Sequence, residues 1–443
     1  MLLNYRVSNF KSIADPLLFS LIPFSENIDE KHCTTLDTNF GQWRVLQRGV
    51  LFGPNASGKS SFIESIGFAK QYITNSQHSG KSTKVNPFKG KNTEPTSFQF
   101  QIYIDGDIYE YLFSLTKIQV VNERLMQLTS SGMRTLFDRT TNDQGKTSIT
   151  LYELLVENTE NRLDVARLLT ETIKYDQRNQ LFLYKLFDNG FIKPAKVFEW
   201  FEKVRVLFPE SIFQALPFHV KEDDDFRKFL SNMLQLSDTG VNNIKTEDNH
   251  IDFYEWAKKL NLPQELIDEL EGKDDAIFSF NGVCYILSKT DLHDVAALKI
   301  KFSHELLGLN YDFNLQDESE GTRRLLDLFP ILFGVSHEPT IFFVDELDRS
   351  LHTKLVKMFV NQFTQRNRDG MSQLIFTAHD INLLSSDTLI KDEVWFIDKK
   401  NSGITDLFPL TDFDISDDET RVTDYLSGRF GAVPNFIGDD CRG

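Results

Sequence analysis

Along the first third of the chain, apolar residues recur at every second position in short runs. Residues 2–7 and 17–22 read as two strands on either side of a turn at Lys11, and residues 45–52 as a third that runs straight into a glycine-rich loop. A helical period takes over at about residues 59–73. Residues 98–104 and 108–115 alternate again and are joined by Asp105-Gly106, a pair suited to a two-residue hairpin turn, and residues 117–128 continue as the next antiparallel strand. From about 151 to 272 the apolar spacing lengthens to three and four, as in Val197, Phe201, Val204 and Phe208, or Phe226, Phe229, Leu230 and Met233, which predicts helices. Pro194, Pro209, Gly240, Pro263 and Gly272 cut this stretch into short pieces, and no heptad lasts long enough for a coiled-coil arm.

Strand pattern returns at 277–287, with a turn at Asn281-Gly282, and at 295–302. From about 303 to 410, helical spacing alternates with continuous apolar runs at 340–344, 373–377 and 393–397. Unbroken apolar runs fit strands buried on both faces, the mark of a parallel sheet. The expected class is α/β: an antiparallel β subdomain, a mainly parallel sheet with helices, and a compact helical insert. The expected organisation is an N-terminal lobe at 1–130, a mainly helical insert with short flanking strands at 131–290, a C-terminal lobe at 291–410 and an acidic tail at 411–443.

Charge narrows the function. Lysine and arginine number 48 and aspartate and glutamate 65, a net charge of −17. Nucleic-acid affinity comes largely from basic contacts to phosphate, so any such site must be a local patch. Lys70, Lys81, Lys84, Lys89 and Lys91 fall between Glu64 and Glu94 with no intervening acid; without an aromatic platform the stretch reads first as a solvated loop, with Lys81, Lys84, Lys89 and Lys91 as the candidate DNA contacts. Three scattered cysteines, Cys33, Cys284 and Cys441, form no CxxC and argue against a disulfide framework or a zinc knuckle. Arg6 and Lys11 interrupt what a signal peptide would need, and no apolar run approaches membrane-spanning length. A cytoplasmic protein with no membrane span is expected.

Candidate chemistry gathers in four places. Gly53-Pro-Asn55-Ala-Ser57-Gly58-Lys59-Ser60, followed by Ser61, fits GxxxxGK[ST] between a predicted strand and a predicted helix. Small residues let successive backbone N–H groups converge on a phosphate, Lys59 reaches the β- and γ-phosphates, and Ser60 serves Mg²⁺. The run at 341–344 delivers Asp345 and Glu346 at a strand end, Asp345 for the Mg²⁺ shell and Glu346 for polarising an attacking water. His379 follows the next strand and is placed to sense the γ-phosphate. Ser319 and Gly321, in Glu318-Ser-Glu-Gly-Thr322, open a helix 26 residues before Asp345, where Ser319 suits either an anion or its own first turn.

In this order the motifs resemble the ABC-type ATPase heads of the SMC, RecF and OLD class, and Asn9-Phe10-Lys11-Ser12 looks like their N-terminal turn. The resemblance covers about residues 1–130 and 290–410. It implies ATP and Mg²⁺ as cofactors and a homodimer or higher homo-oligomer, in which Ser319 and Gly321 complete the nucleotide site of a second subunit. Asp345 to His352 is similar to the carboxylate strand and D-loop of that class, with His352 where many members carry aspartate. Glu320 replaces the first signature glycine, and Gln99 and Gln101 are the candidates for the Q-loop.

The insert and the ending from Asp424 to Pro434 look like bacterial AAA-type ATPases of abortive-infection and restriction-linked operons, of the RloA and AbiL kind. That implies a sensor in phage defence acting through an operon-encoded effector, a nuclease. The 33 residues after 410 are too few for the Toprim nuclease that OLD proteins carry, and the acidic run Asp412 to Glu419 reads as a solvated tail. The rival readings are a RecF-like or SMC-like repair ATPase acting directly on DNA and, more distantly, a transport ATPase.

Overall fold

The computed structural model describes residues 1–75, 82–155, 160–175, 178–213, 215–271, 276–280, 283–287, 295–384, 388–400, 402–414 and 420–433. They fall into two compact units. The first comprises Met1–Pro209, Glu338–Asp348 and Val356–Gly443, and the second Glu210–His337 and Arg349–Leu355.

In the first unit, β1 (Leu2–Ser8) pairs with β2 (Leu17–Ser20), β3 (Cys33–Thr38) with β4 (Gly41–Leu46), and β5 (Arg48–Phe52) leads through the glycine-rich loop into α1 (Lys59–Thr74). Then β6 (Thr96–Ile104), β7 (Asp107–Leu115), β8 (Val120–Thr129), β9 (Gly132–Thr141) and β10 (Thr147–Leu151) fold up and down. The result is one antiparallel sheet in the order β10-β9-β8-β7-β6-β1-β2. Ile104 faces Asp107 across the β6–β7 turn, and Asp105 and Gly106 both take positive φ, 48° and 88°, as a type I′ turn requires. Helices α2 (Glu160–Tyr175), α3 (Phe182–Asp188) and α4 (Ile192–Glu202) follow, then β11 (Val204–Leu207).

The second unit holds α5 (Leu216–Glu222), α6 (Asp224–Leu236), β12 (Val241–Ile251), α7 (Phe253–Lys259), α8 (Gln264–Glu271), β13 (Ala276–Phe280), β14 (Val283–Leu287), β15 (Val295–Leu306), β16 (Leu309–Asn314) and α9 (Glu320–Val335). Its sheet runs β12-β15-β14-β13, with β16 on the free half of β15. Phe226 and Phe229 of α6 pack on Phe333 of α9, ring centroids 5.0 and 5.4 Å apart.

The chain closes with β17 (Ile341–Val344), α10 (Thr353–Arg366), β18 (Gln373–Ala378), β19 (Val394–Lys399), β20 (Thr405–Pro409) and α11 (Arg421–Leu426). The second sheet of the first unit runs β11-β17-β18-β5-β19-β20, parallel throughout except for β20. Its inner strands are buried at nearly every position, which is why they read as unbroken apolar runs. α1 packs between the two sheets: Phe62 meets the rings of Tyr5 and Phe19 at 5.5 and 5.7 Å, and Phe19 meets Trp395 at 5.1 Å. Both sheet types expected from the sequence are present, and they hold the glycine-rich loop between them.

Several elements differ from the sequence reading. The stretch expected to be helical contains β11 and β12. Val204 ends the helical spacing of α4 and begins a strand that pairs in parallel with β17. Most of β12 is exposed, so its sequence lacks alternation, and its conformation comes from pairing with β15 along its whole length. The run at 45–52 divides at Gln47, whose side chain bonds Glu30 O, Thr34 Oγ1 and Asn367 as the chain leaves one sheet for the other. Beyond the acidic run, whose Asp412 and Asp414 are exposed, the chain packs back on the fold. Tyr425 of α11 stacks on Phe396 at 5.5 Å and Arg421 donates to Leu389 O. Asp417, Asp418, Glu419, Cys441 and the Asn281-Gly282 turn lie outside the described residues.

Candidate functional site

Three parallel strands end at one edge of the six-stranded sheet. Phe52 of β5 lies opposite Ala378 of β18, and Val344 of β17 opposite Phe376. Register alone therefore brings together the residues that follow, Gly53, Asp345 and His379.

The loop after β5 is shaped by close approach. A Cβ at Gly53 would collide with the carbonyl of Ile397, and one at Gly58 with the side chain of Thr405. Gly58 also sits at φ +118°, a region side chains rarely enter. Thr405 Oγ1 is 3.0 Å from Ser57 O and 3.0 Å from Ser12 Oγ, so the Asn9-to-Ser12 turn is tied to the loop through β20. Lys11 forms an ion pair with Glu64 on α1.

Lys59 is 5% exposed and folds back along the loop, Nζ donating to Gly53 O at 2.6 Å and Pro54 O at 3.0 Å. Burial pulls its pKa down to about 8, against the opposing pull of Asp345, Asp348 and Glu346. Ser57 Oγ is buried and has no partner among the described residues. The first turn of α1 has no side-chain cap and no acid, while Asn55 and Ser60 are exposed and Ser61 is half-buried. An orphaned hydroxyl, an open helix start and one buried cation fit the phosphates of a nucleotide. The Ser60 hydroxyl and the Asp345 carboxylate are hard oxygen donors of the kind Mg²⁺ takes.

The carboxylates are fixed by a residue the sequence reading missed. Thr377 Oγ1 donates to Asp345 Oδ1 at 2.7 Å and accepts the Glu346 N–H at 2.7 Å. Glu346 is held at φ 48°, a left-handed conformation costing about 1–2 kcal/mol. Its Oε1 is 3.9 Å from His379 Nε2, and both side chains are about one third exposed. Asp348, also missed, accepts the N–H groups of His379 and Asp380 on one oxygen, each at 2.7 Å. The available signals were a hydroxyl two residues before the histidine and a third carboxylate in Asp-Glu-Leu-Asp.

The second unit carries Ser319 and Gly321. Ser319 caps its own helix, Oγ accepting the Thr322 N–H at 3.0 Å. A Cβ on Gly321 would lie 3.0 Å from Ser350 O, so glycine is what allows the Ser350 backbone to approach. Glu318 is buried and its Oε1 lies 2.7 Å from His304 Nε2. His352 accepts the Lys354 N–H at the start of α10.

The remaining candidates sit apart from this chemistry. Gln99 and Gln101 lie on β6, where Gln101 accepts from Asn4 Nδ2 at 2.5 Å. Lys84 and Lys89 are exposed, Lys91 pairs with Asp15 at 3.0 Å, and Lys81 lies outside the described residues. No helix among the described residues is long and apolar enough to cross a membrane.

A strand, phosphate loop and helix beside a carboxylate strand and a histidine strand, flanked by an antiparallel sheet, make up a P-loop nucleotide-binding fold. The chain belongs to the family described as "AAA domain, putative AbiEii toxin, Type IV TA system", whose model matches residues 50–183 and 187–385. Among solved structures, the chain is similar to an SMC head bound to the C-terminal winged-helix domain of ScpA, at 12% identity and a TM-score of 0.39 over 92% of this chain and 97% of that one. It is also similar to the SMC head domain from Thermotoga maritima, at 12% identity and 0.37 over 94% and 99%. For an SMC head with an extended coiled coil bound to the C-terminal domain of ScpA from Pyrococcus furiosus, the values are 10% and 0.35 over 96% and 99%. Among curated proteins, none matches the chain.

Proposed function

We propose that the chain hydrolyses ATP with Mg²⁺ between two copies arranged head to tail, and that this cycle switches a separate effector in antiviral defence. The observation that carries the hydrolysis reading is the single sheet edge at which buried Lys59, Asp345 and its Thr377 brace, Glu346 and His379 meet. Lys59 and the loop N–H groups hold the phosphates, and Ser60 and Asp345 hold Mg²⁺. That ion supplies positive charge against the transferring phosphoryl group. Glu346 orients the attacking water and accepts its proton, and His379 contacts the γ-phosphate. Ser319 and Gly321 of a second copy complete the site.

The family description, which names a type IV toxin–antitoxin system, supports the defence setting. On this reading the protein works in the cytoplasm, and the toxic activity belongs to an operon-encoded partner, a nuclease. Lys84, Lys89 and Lys91 are the residues through which DNA would be met.

With Mg²⁺, the purified chain should turn over ATP. Glu346→Gln should keep ATP binding, lower turnover by about 100-fold and accumulate as an ATP-dependent dimer. Plasmid, single-stranded DNA and tRNA should stay intact with the chain alone and be cut only when the partner is added. Unchanged turnover in Glu346→Gln would remove Glu346 from the chemistry. Cleavage by the isolated chain that survives the substitution would place the toxicity here instead.

A further inference from the structure

We infer that Asp348 is a positioning residue for hydrolysis: it holds the backbone from which His379 projects and so fixes the histidine against the attacking-water side of the site. The inference rests on the ATPase reading above and adds to it a residue that reading does not use.

The geometry is specific. β18 ends at Ala378, so His379 is the first residue without a strand partner to fix it. Leu347 N–H donates to Thr377 O and Glu346 N–H to Thr377 Oγ1, which join the carboxylate loop to the last turn of the strand but stop short of the histidine. Asp348 supplies the missing link, with one carboxylate oxygen accepting the N–H of His379 and of Asp380, each at 2.7 Å. Hydrogen bonds to an ionised acceptor are shorter and stronger than neutral ones, so an anion suits the task of holding two amides. The other oxygen, Oδ1, is buried and without a partner among the described residues, an arrangement that solvation or general stability does not call for.

A carboxylate here also opposes ATP binding. Asp348 lies close enough to Lys59 to favour its charged form, yet it repels phosphate as any nearby carboxylate does. A group kept for affinity would not carry that charge. A group kept to fix the histidine would, because removing it disturbs the transition state more than the bound nucleotide.

The test uses the full chain, with turnover followed by phosphate release and affinity by titration with a fluorescent ATP analogue. Asp348→Ala should lower kcat by about 100-fold, the scale of a misplaced catalytic group, while analogue affinity stays equal or rises. Asp348→Asn keeps an acceptor oxygen and should recover a large part of kcat. In a His379→Ala background, Asp348→Ala should cost little more, because its effect passes through the histidine. Loss of affinity as large as the loss of kcat would overturn the proposal, and so would full additivity with His379→Ala. Turnover that survives Asp348→Ala removes this proposal and leaves the ATPase reading standing. Absence of turnover in the unsubstituted chain removes both.

Discussion

Two helices in this chain start next to a glycine and a serine, and their first turns are built in opposite ways. α1 begins after Gly58 with no side-chain cap and no acid in its first turn, and buried Lys59 stands at its start. α9 begins after Ser319, whose hydroxyl takes the Thr322 N–H, with Glu320 in the first turn and buried Glu318 just before it. Every helix start presents unpaired N–H groups and partial positive charge. α1 leaves that demand open, and α9 answers it from within. The α1 start can therefore bind an anion unaided. The α9 start has one of its N–H groups already taken by Ser319, and on the shared-site proposal a phosphate would meet the N–H groups that remain and the Ser319 O–H.

The largest effect expected from this contrast is on affinity. Lys59→Ala should weaken ATP binding by about 100-fold, since it removes the charged donor from an otherwise neutral loop. Ser319→Ala should leave the affinity of a single chain within about threefold and lower turnover instead. Mixing the two variants should restore part of the activity. A mixed dimer contains one site with both elements intact and one with both altered. Mixed dimers that form without rescue would break the idea of a shared site.

Both helix starts were legible in the sequence, and much of what surrounds them was not. The loop from Gly53 to Ser60 is local, and continuous apolar runs marked the parallel strands that bring it beside Asp345 and His379. The braces were not legible. Thr377, Asp348 and Thr405 act through partners 32, 31 and 348 residues away along the chain. β12 escaped because its exposed, polar sequence carries no period, and only its pairing with β15 makes it a strand. The second unit takes in Arg349–Leu355 from beyond β17, a division set by packing that no change in composition marks.

The capping hydroxyl allows a sharper test on the α9 side. Ser319→Ala should cost about 1 kcal/mol of stability, whereas Ser319→Asp should cost almost none, because aspartate caps as well as serine. If Ser319 also meets a phosphate, aspartate should still lower turnover by at least about tenfold, since a carboxylate facing phosphate is repelled. Thermal melting reads the cap and phosphate release reads the site. An aspartate variant that keeps both stability and turnover would make Ser319 a helix cap and nothing more.

The smallest expected effect separates the two helix starts by pH. Burial lowers the Lys59 pKa to about 8 in the free protein, with Asp345, Asp348 and Glu346 pulling the other way. Below that value the lysine is charged and meets the phosphates as a cation. Above it the free protein has lost the proton that the complex needs, so binding must take one up. ATP affinity should therefore be flat below about pH 7.5 and fall as pH rises, by at most about tenfold per unit above 8. Calorimetry at pH 9 in buffers of different ionisation enthalpy should show close to one proton taken up for each ATP bound. Ser319→Ala should leave this profile unchanged, because a serine hydroxyl does not titrate in this range. In Lys59→Arg, whose guanidinium stays charged throughout the range, the fall should vanish. Affinity that declines equally in the arginine variant would mean that another group sets the pH dependence, and that the buried lysine is not what distinguishes α1 from α9.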